Sequence, residues 1–564
     1  MLYLLFIATL ILCCLPLLPG LFGILLPAFF WQPGTGFHSP DLQAVQMMLA
    51  WPGLPTSIGL TLASGVLSTL MAMLFTFLIL QKSWGTTRWH RLESWLSPVL
   101  AIPHVAFAIG FAFTFSSTGM LARLLTTFGV DTESFHLIQD PLGIGLTLAL
   151  AIKETPFLLL MSLSVLQQLN IERLLAAGNG LGYSSTTVWL KVILPQWLPR
   201  MRLPVYAVLA YGLSVVDMAM ILGPNRPPTF AVLVWQWFND PDISLMPRAA
   251  MGALGLLTLG MLCIAVFRFL EWLICHGYPH WQFSGKRVHR LPGRTLHWPL
   301  ILVPFTVIPV LLLWSLSLRW RFPDILPSQM SVRFWQQETA FVTDLATTSI
   351  LLAVISTLIA LLLAIGCLEF RDKTGIGLPG WLIAMPMVLP QVSLLFGIQV
   401  STYLVPGQHY VVWVIWSHVL FVFPYLFLAL DGPWQTYDCR YTQTAKSLGY
   451  SAMAAWWQVK RPMLMPAICL AVAVGCSVSL AQYLPTLSLG AGRISTLTTE
   501  AVALASGQDR RISAIYGLLQ GLVPFLIFVA AMLANRFYQS KMTAHSSTRK
   551  PEPDVLIREK PHYK

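Results

Sequence analysis

The sequence predicts an all-α membrane protein of about 12 transmembrane helices, arranged as two tandem six-helix repeats. Three observations predict it. First, hydrophobic residues make up 56% of the 564-residue chain and charged residues only 10%, against about 25% charged in a soluble domain. Mean hydropathy is +0.68. Second, apolar runs of about 20 residues recur, each long enough to cross a ~30 Å hydrocarbon core as a helix. They lack the polar–apolar alternation of a membrane barrel. Third, a polar stretch is written twice at an offset of 267 residues.

The expected spans are 2–30, 54–80, 93–117, 141–168, 203–223 and 249–275, then 298–318, 343–368, 379–402, 410–431, 466–487 and 512–534. The first has no basic n-region and no small-residue cleavage site, so it reads as a retained helix and not a signal peptide. Prolines and glycines inside the spans are of the kind transmembrane helices tolerate. Residues 276–297 are polar, basic and broken by Pro279 and Pro292, and read as a cytoplasmic linker. The domains are therefore 1–275, the linker 276–297, 298–536, and a charged tail 537–564 with the composition of a disordered segment. The eight cysteines form no Cys-x-x-Cys pair and mostly fall in apolar spans, so they read as small hydrophobes and not as metal ligands.

Orientation follows from the basic residues. With the N-terminus inside, 24 of the 35 lysines and arginines fall in inside loops and the tail, and nine in outside loops. That is the positive-inside pattern. It accounts for the net charge of +12 without nucleic acid. Both copies of the duplicated stretch, and both termini, fall on the cytoplasmic side.

The first copy begins Leu181-Gly182-Tyr183-Ser184 and the second Leu448-Gly449-Tyr450-Ser451. Trp189 matches Trp456, Pro195 matches Pro462, Gly223 matches Gly490 and Arg226 matches Arg493. Upstream, Pro103-His104-Val105 with Gly110 matches Pro390-Gln391-Val392 with Gly397, and Ser68-Thr69-Leu70 matches Ser356-Thr357-Leu358. Equal landmark order in halves that both begin and end inside makes a parallel repeat. The natural substrate path is then the interface between halves. In each loop a helix is expected to end at the glycine, which accepts the left-handed conformation. A second short helix follows and is expected to stop near the proline.

The Gly-to-Pro spacing resembles the EAA loop of ABC-importer permeases. Ala176 and Gln443 stand where that motif carries its first residue, a glutamate. The whole chain resembles fused, double-length permeases of the binding-protein-dependent (MetI-like, type I) family. Its thiamine and ferric-iron permeases and its YnjC-type members are similar, the last through Ile221-Leu222-Gly223-Pro224 and Ala481-Gln482-Tyr483-Leu484-Pro485. The resemblance implies a permease subunit in the bacterial inner membrane, with ATPase-coupling loops at about 170–202 and 433–466. Ala176, Gly182, Tyr183, Leu194, Pro195, Gln443, Gly449, Tyr450 and Pro462 would carry that coupling. It implies an ABC ATPase dimer and a periplasmic substrate-binding protein as partners in the lipid bilayer. The sequence has no Gly-x-x-x-x-Gly-Lys-Ser/Thr loop, so ATP would sit on the partner and no cofactor or metal on this chain. No catalytic constellation is evident.

A charge at mid-membrane costs roughly 2.5–3.5 kcal/mol. Lys153 and Glu154 in the fourth span and Asp217 in the fifth therefore either line the path or form a structural pair, for instance Lys153 with Asp217. His104 reads as a hydrogen-bonded helix residue, and Tyr403, Tyr410 and Tyr483, with the many tryptophans, as interfacial or packing residues. Arg226 and Arg493, at the outer ends of equivalent spans, would meet a docking protein or a substrate anion, or anchor at headgroups. The rival reading is a 12-helix secondary transporter driven by an ion gradient. It would need ion ligands in both halves, and only the first half offers candidates.

Overall fold

The computed structural model describes residues 2–548 except 32–38, 88, 90–95, 97–98, 100–101, 133–135, 278, 287–296, 403–404, 406 and 508; side chains at 164, 297–301 and 538–548 are also outside the description. Most of the linker core and the end of the tail, residues 549–564, thus lie outside the described residues. Helices carry the fold. Among the described residues a short antiparallel ribbon, Ser317–Arg319 with Gln329–Met330, is the sheet structure.

Nine of the expected spans hold helical stretches long and apolar enough to cross a membrane among the described residues: Leu2–Ala28, Leu54–Ser83, His104–Thr127 (with a turn between Phe115 and Met120), Ile144–Gln168, Ile243–Phe283, Arg333–Thr374, Tyr410–Thr436, Ala452–Leu480 and Arg510–Phe537. The span at 298–318 is a helix, His297–Leu316. Three other spans are broken. The span at 379–402 is two helices, Gly380–Val388 and Gln391–Thr402, bent by 94°. Pro390 at the joint has no N–H for the helix ladder, which explains the break. The span at 203–223 stops at Ser214 and restarts as Asp217–Leu222. The matching span at 466–487 stops at Leu480 and restarts as Leu484–Gly490. In the second copy Pro485 opens the new helix, where a missing N–H costs nothing. In the first, the Asp217 carboxylate accepts the N–H of Met218 at 2.9 Å. The final helix runs past the expected boundary at 536 and ends at Thr548.

Matched positions make matched contacts. The Thr61 hydroxyl accepts the N–H of Phe230 at 2.7 Å, and the Ser349 hydroxyl accepts that of Leu497 at 2.9 Å. Ser356 bonds Ser479 at 3.0 Å, whereas at the matching place Ser68 packs on Gly212.

The halves also exchange their first helices. Leu2–Ala28 lies on the second half. Phe6 stacks on Phe370 at 4.3 Å, and the Trp416 indole donates to the Leu12 carbonyl at 3.0 Å. Gly23 and Gly397 touch backbone to backbone. Reciprocally, His297–Leu316 packs on the first half, with Val307 against Gly110 and Trp314 5.9 Å from Phe113. Gly110 and Gly397 are matched in the repeat, so each half offers a glycine to the other half's leading helix. Small residues let helix backbones approach where no hydrophobic force favours association over lipid.

Candidate functional site

Two places hold the candidate residues: the duplicated loops at one face, and a polar cluster inside the helices. Each loop starts as a helix, Ile171–Gly180 or Arg440–Ser447. Gly182 (φ +77°) and Gly449 (φ +89°) then take the left-handed conformation. It lets the following N–H close the turn: Tyr183 donates to the Gly178 carbonyl at 3.0 Å, and Tyr450 to that of Ala445 at 3.1 Å. Ser184 and Ser451 cap the next helix, accepting from Thr187 at 3.3 Å and from Ala454 at 3.2 Å.

The second helix does not stop at the proline, contrary to expectation. A wide turn at Trp189–Ile193 and another at Trp456–Lys460 shift the hydrogen bonds by one residue. Leu194 donates to Trp189 and Arg461 to Trp456, five residues back. The helix thus passes Pro195 and Pro462 with the ladder already re-phased. The second loop thereby continues into the span Arg461–Leu480, whereas in the first the helix Leu194–Arg200 is interrupted at Met201 before the span Arg202–Ser214.

Both loops are anchored at their foot by different chemistry. Buried Trp189 packs edge-on to Phe77 at 5.9 Å, and Gln81 donates to Thr186 at 3.1 Å. The Trp456 indole donates to Glu369 at 3.0 Å, and Lys460 pairs with Glu369 at 2.7 Å and Asp372 at 2.8 Å. The tips differ from the feet. Leu181 is 75% exposed and Leu448 73%. Ala176, Gln443 and Tyr450 are also exposed, while Tyr183, Leu194, Pro195 and Pro462 are half-buried. The two exposed leucines occupy matched positions in the repeat.

The intramembrane groups converge where the halves meet. His104 pairs with Glu154 at 2.9 Å, and its ring lies 4.7 Å from that of Tyr211. Asp217 faces His104 and the Tyr211 hydroxyl, although the latter falls short of hydrogen-bond geometry. From the second half, Tyr425 lies within electrostatic reach of Glu154 and Tyr483 within that of Asp217. Tyr483 also contacts the Met220 sulfur at 3.9 Å. His104, Tyr211, Asp217 and Tyr425 are half-buried, while Glu154 and Tyr483 are buried. Lys153 does not pair with Asp217. It is buried and its ammonium donates to the Val99 carbonyl at 3.4 Å. In the second half the corresponding break is closed by neutral chemistry: buried His418 bonds Ser479 at 2.7 Å before it and Thr486 at 2.9 Å after it.

The chain is 33% identical over 535 residues to the inner membrane ABC transporter permease protein YnjC of Escherichia coli, covering 93% of this chain and 94% of that one. The chain belongs to the family of ABC transporter permeases. Spermidine/putrescine permease PotC homologs are similar over shorter stretches. That of Mycoplasma genitalium is 30% identical over 32% of the permease described here and 66% of its own length. That of Mycoplasma pneumoniae is 27% identical over 27% and 54%. No protein-family model matches the sequence.

The permease's cluster contains Tyr483, which sequence reasoning set aside as an interfacial or packing residue, and Tyr211 and Tyr425, which it did not single out; His104, read as a hydrogen-bonded helix residue, bonds Glu154. His104 was recoverable only as one half of a pair whose other half lies fifty residues away. Arg226 and Arg493 are both exposed. Arg493 lies over the Tyr410 ring at 4.8 Å. Among the described residues no group of His, Cys, Asp and Glu is arranged to hold a metal ion.

Proposed function

We propose that this chain is the transmembrane subunit of an ATP-driven importer. In this reading the two duplicated loops are where a separate ATPase dimer grips it, and the interface between halves is the route. The observation that carries the reading is the shared geometry of the loops: left-handed glycine, serine cap and re-phased turn, repeated with an exposed leucine at each tip. In the second loop a short helix continuous with a span would transmit rigid-body movement, and closure by rigid-body rotation is a recurrent switching mode. Two equivalent loops suit a two-fold partner. The loops lie at the basic face, which the positive-inside rule makes cytoplasmic, as it does both termini.

A periplasmic binding protein would deliver the cargo at the other face. Glu154, Asp217 and three tyrosine rings favour a small cationic solute, through charge and cation–π attraction. The PotC homologs are named for spermidine and putrescine, which are cations of this class; thiamine and ferric iron also belong to it.

The test is co-purification and transport. The tagged chain is expected to retain an ABC ATPase subunit. Proteoliposomes of that complex should accumulate cargo only with ATP and binding protein. Uptake driven by an ion gradient in the absence of the ATPase would return the chain to the secondary-transporter reading.

A further inference from the structure

We infer that a cavity on the face opposite the loops is an oxyanion site that takes a phosphate group where the two halves meet. The inference stands independently of the importer reading. The cavity has a volume of about 550 Å³, and its walls include Trp314, Trp320 and Phe322. Its cations are Arg123 from the first half and Arg510 and Arg511 from the second. Its position follows from Arg511, which lies over the Phe334 ring at 4.2 Å. Phe334 begins the long Arg333–Thr374 helix, whose other end holds the foot of the second loop through Glu369 and Asp372.

The charges in this cavity do not balance. Asp509 is the carboxylate that lines it, and both its oxygens are taken by Arg511, at 2.9 and 2.7 Å. Arg123 is 2% exposed. Its guanidinium donates to the carbonyls of Thr118 at 3.1 Å, Arg321 at 2.7 Å and Asp324 at 2.5 Å, and lies 4.8 Å from the Trp320 ring. These carbonyl dipoles orient that charge, and the Asp324 carboxylate within electrostatic reach offsets part of it, leaving three arginines against two carboxylates. Arg510 sits 5.3 Å from the Trp314 ring and 5.8 Å from Phe113, within electrostatic reach of Arg123. No hydrogen bond from its side chain to any described residue is made. Its planar fork of donors lines the cavity, and that fork fits the paired oxygens of phosphate.

Two like charges held side by side in partial burial repel, and an anion between them removes the repulsion. The volume exceeds that of a bare phosphate and falls within the usual ~300–1,000 Å³ of small-molecule sites. The aromatic walls would then meet the apolar remainder of the ligand. A phospholipid headgroup and a soluble phosphorylated solute share this chemistry.

The test uses the purified full chain in detergent, stripped of lipid. Phenylglyoxal labels accessible arginines, and peptide mass spectrometry reports Arg510 separately. Inorganic phosphate and a short-chain phosphatidylglycerol are the two probes. We expect at least one to slow labelling of Arg510 about tenfold at saturation while exposed Arg226 and Arg493 react as before. Protection by phosphate identifies a soluble oxyanion site; protection by the lipid alone identifies a headgroup site. Unchanged labelling of Arg510 with both probes overturns the proposal. In a second measurement, Arg510→Gln is expected to weaken binding of the protecting probe about tenfold and Arg510→Lys to restore part of it. Equal binding by wild type and Arg510→Gln would also overturn it.

Discussion

Alanine at Gly397 should destabilise the protein by prising apart the crossing of the exchanged first helix. A methyl group there would lie 2.5 Å from the carbonyl carbon of Gly20 and 2.9 Å from its Cα, and would overlap the carbonyl oxygen. Ordinary carbon contacts are about 3.5–4.0 Å. The obstacle is backbone on both sides, so no rotamer change relieves it, and the helices must part by about 1 Å. A gap of that size forfeits about a quarter to a half of each contact's attraction. Overpacking of this kind costs about 1–3 kcal/mol. Alanine also gains roughly 0.5–1 kcal/mol over glycine inside a helix. That gain is isolated by Gly59→Ala, in the second turn of Leu54–Ser83, where an added methyl meets nothing within 4 Å. The assay is the unfolding midpoint of the two variants in one detergent. Gly397→Ala should melt below wild type or close to it, and Gly59→Ala at or above it; their difference is the packing cost. If the two variants melt together, the exchange of first helices is wrong.

Four further outcomes are expected. Gly449→Ala introduces a methyl that meets nothing within 4 Å but must hold φ near +89°; a strain of about 1–2 kcal/mol should lower ATP-coupled uptake while the protein stays assembled, and unchanged uptake would speak against a coupling turn. Glu154→Gln removes the carboxylate beside His104 while keeping a side chain that can still hydrogen-bond the ring, and should reduce uptake in a protein that still elutes as wild type on size exclusion. Lys153→Met should keep both assembly and uptake, because Lys153 reaches a backbone carbonyl and not Asp217; loss of uptake with assembly intact would place it in the path. Hydrogen bonding by Arg511 holds the Asp509 carboxyl below its ordinary value. Its stabilising contribution is therefore present above about pH 4 and lost as pH falls through the lowered value. The stability difference between wild type and Asp509→Asn should shrink in that acid range, and a difference that grows on acidification would contradict the pairing.

The membrane class and the duplicated loops were legible in the sequence because hydropathy and a repeat of glycine and proline are local signals. The left-handed turns at Gly182 and Gly449 followed from the same logic. The re-phased turns did not. Pro195 and Pro462 read as stops, since nothing in the sequence announces a five-residue hydrogen bond ahead of them. The breaks after Ser214 and Leu480 were hidden for a different reason: Val215 and Val216 are as apolar as the helices they separate. The exchange of first helices is invisible to hydropathy, which assigns a span to lipid without choosing its neighbour. Its trace was present in the matched Gly110 and Gly397, whose role emerges only once Val307 and Gly20 lie against them. The cluster was half legible. Glu154 and Asp217 stood out as charges in apolar spans, whereas His104, Tyr211, Tyr425 and Tyr483 acquire meaning only from the crossing of the halves.

The central claim is that both loops dock on one ATPase. A photoreactive amino acid placed singly at Leu181 and at Leu448, the exposed matched tips, tests it most directly in membranes that co-express the cognate subunits. Both positions should cross-link to the same ABC ATPase, and nucleotide should alter the yield at each. Cross-linking at neither position, in membranes where ATP-dependent uptake is intact, would contradict the account.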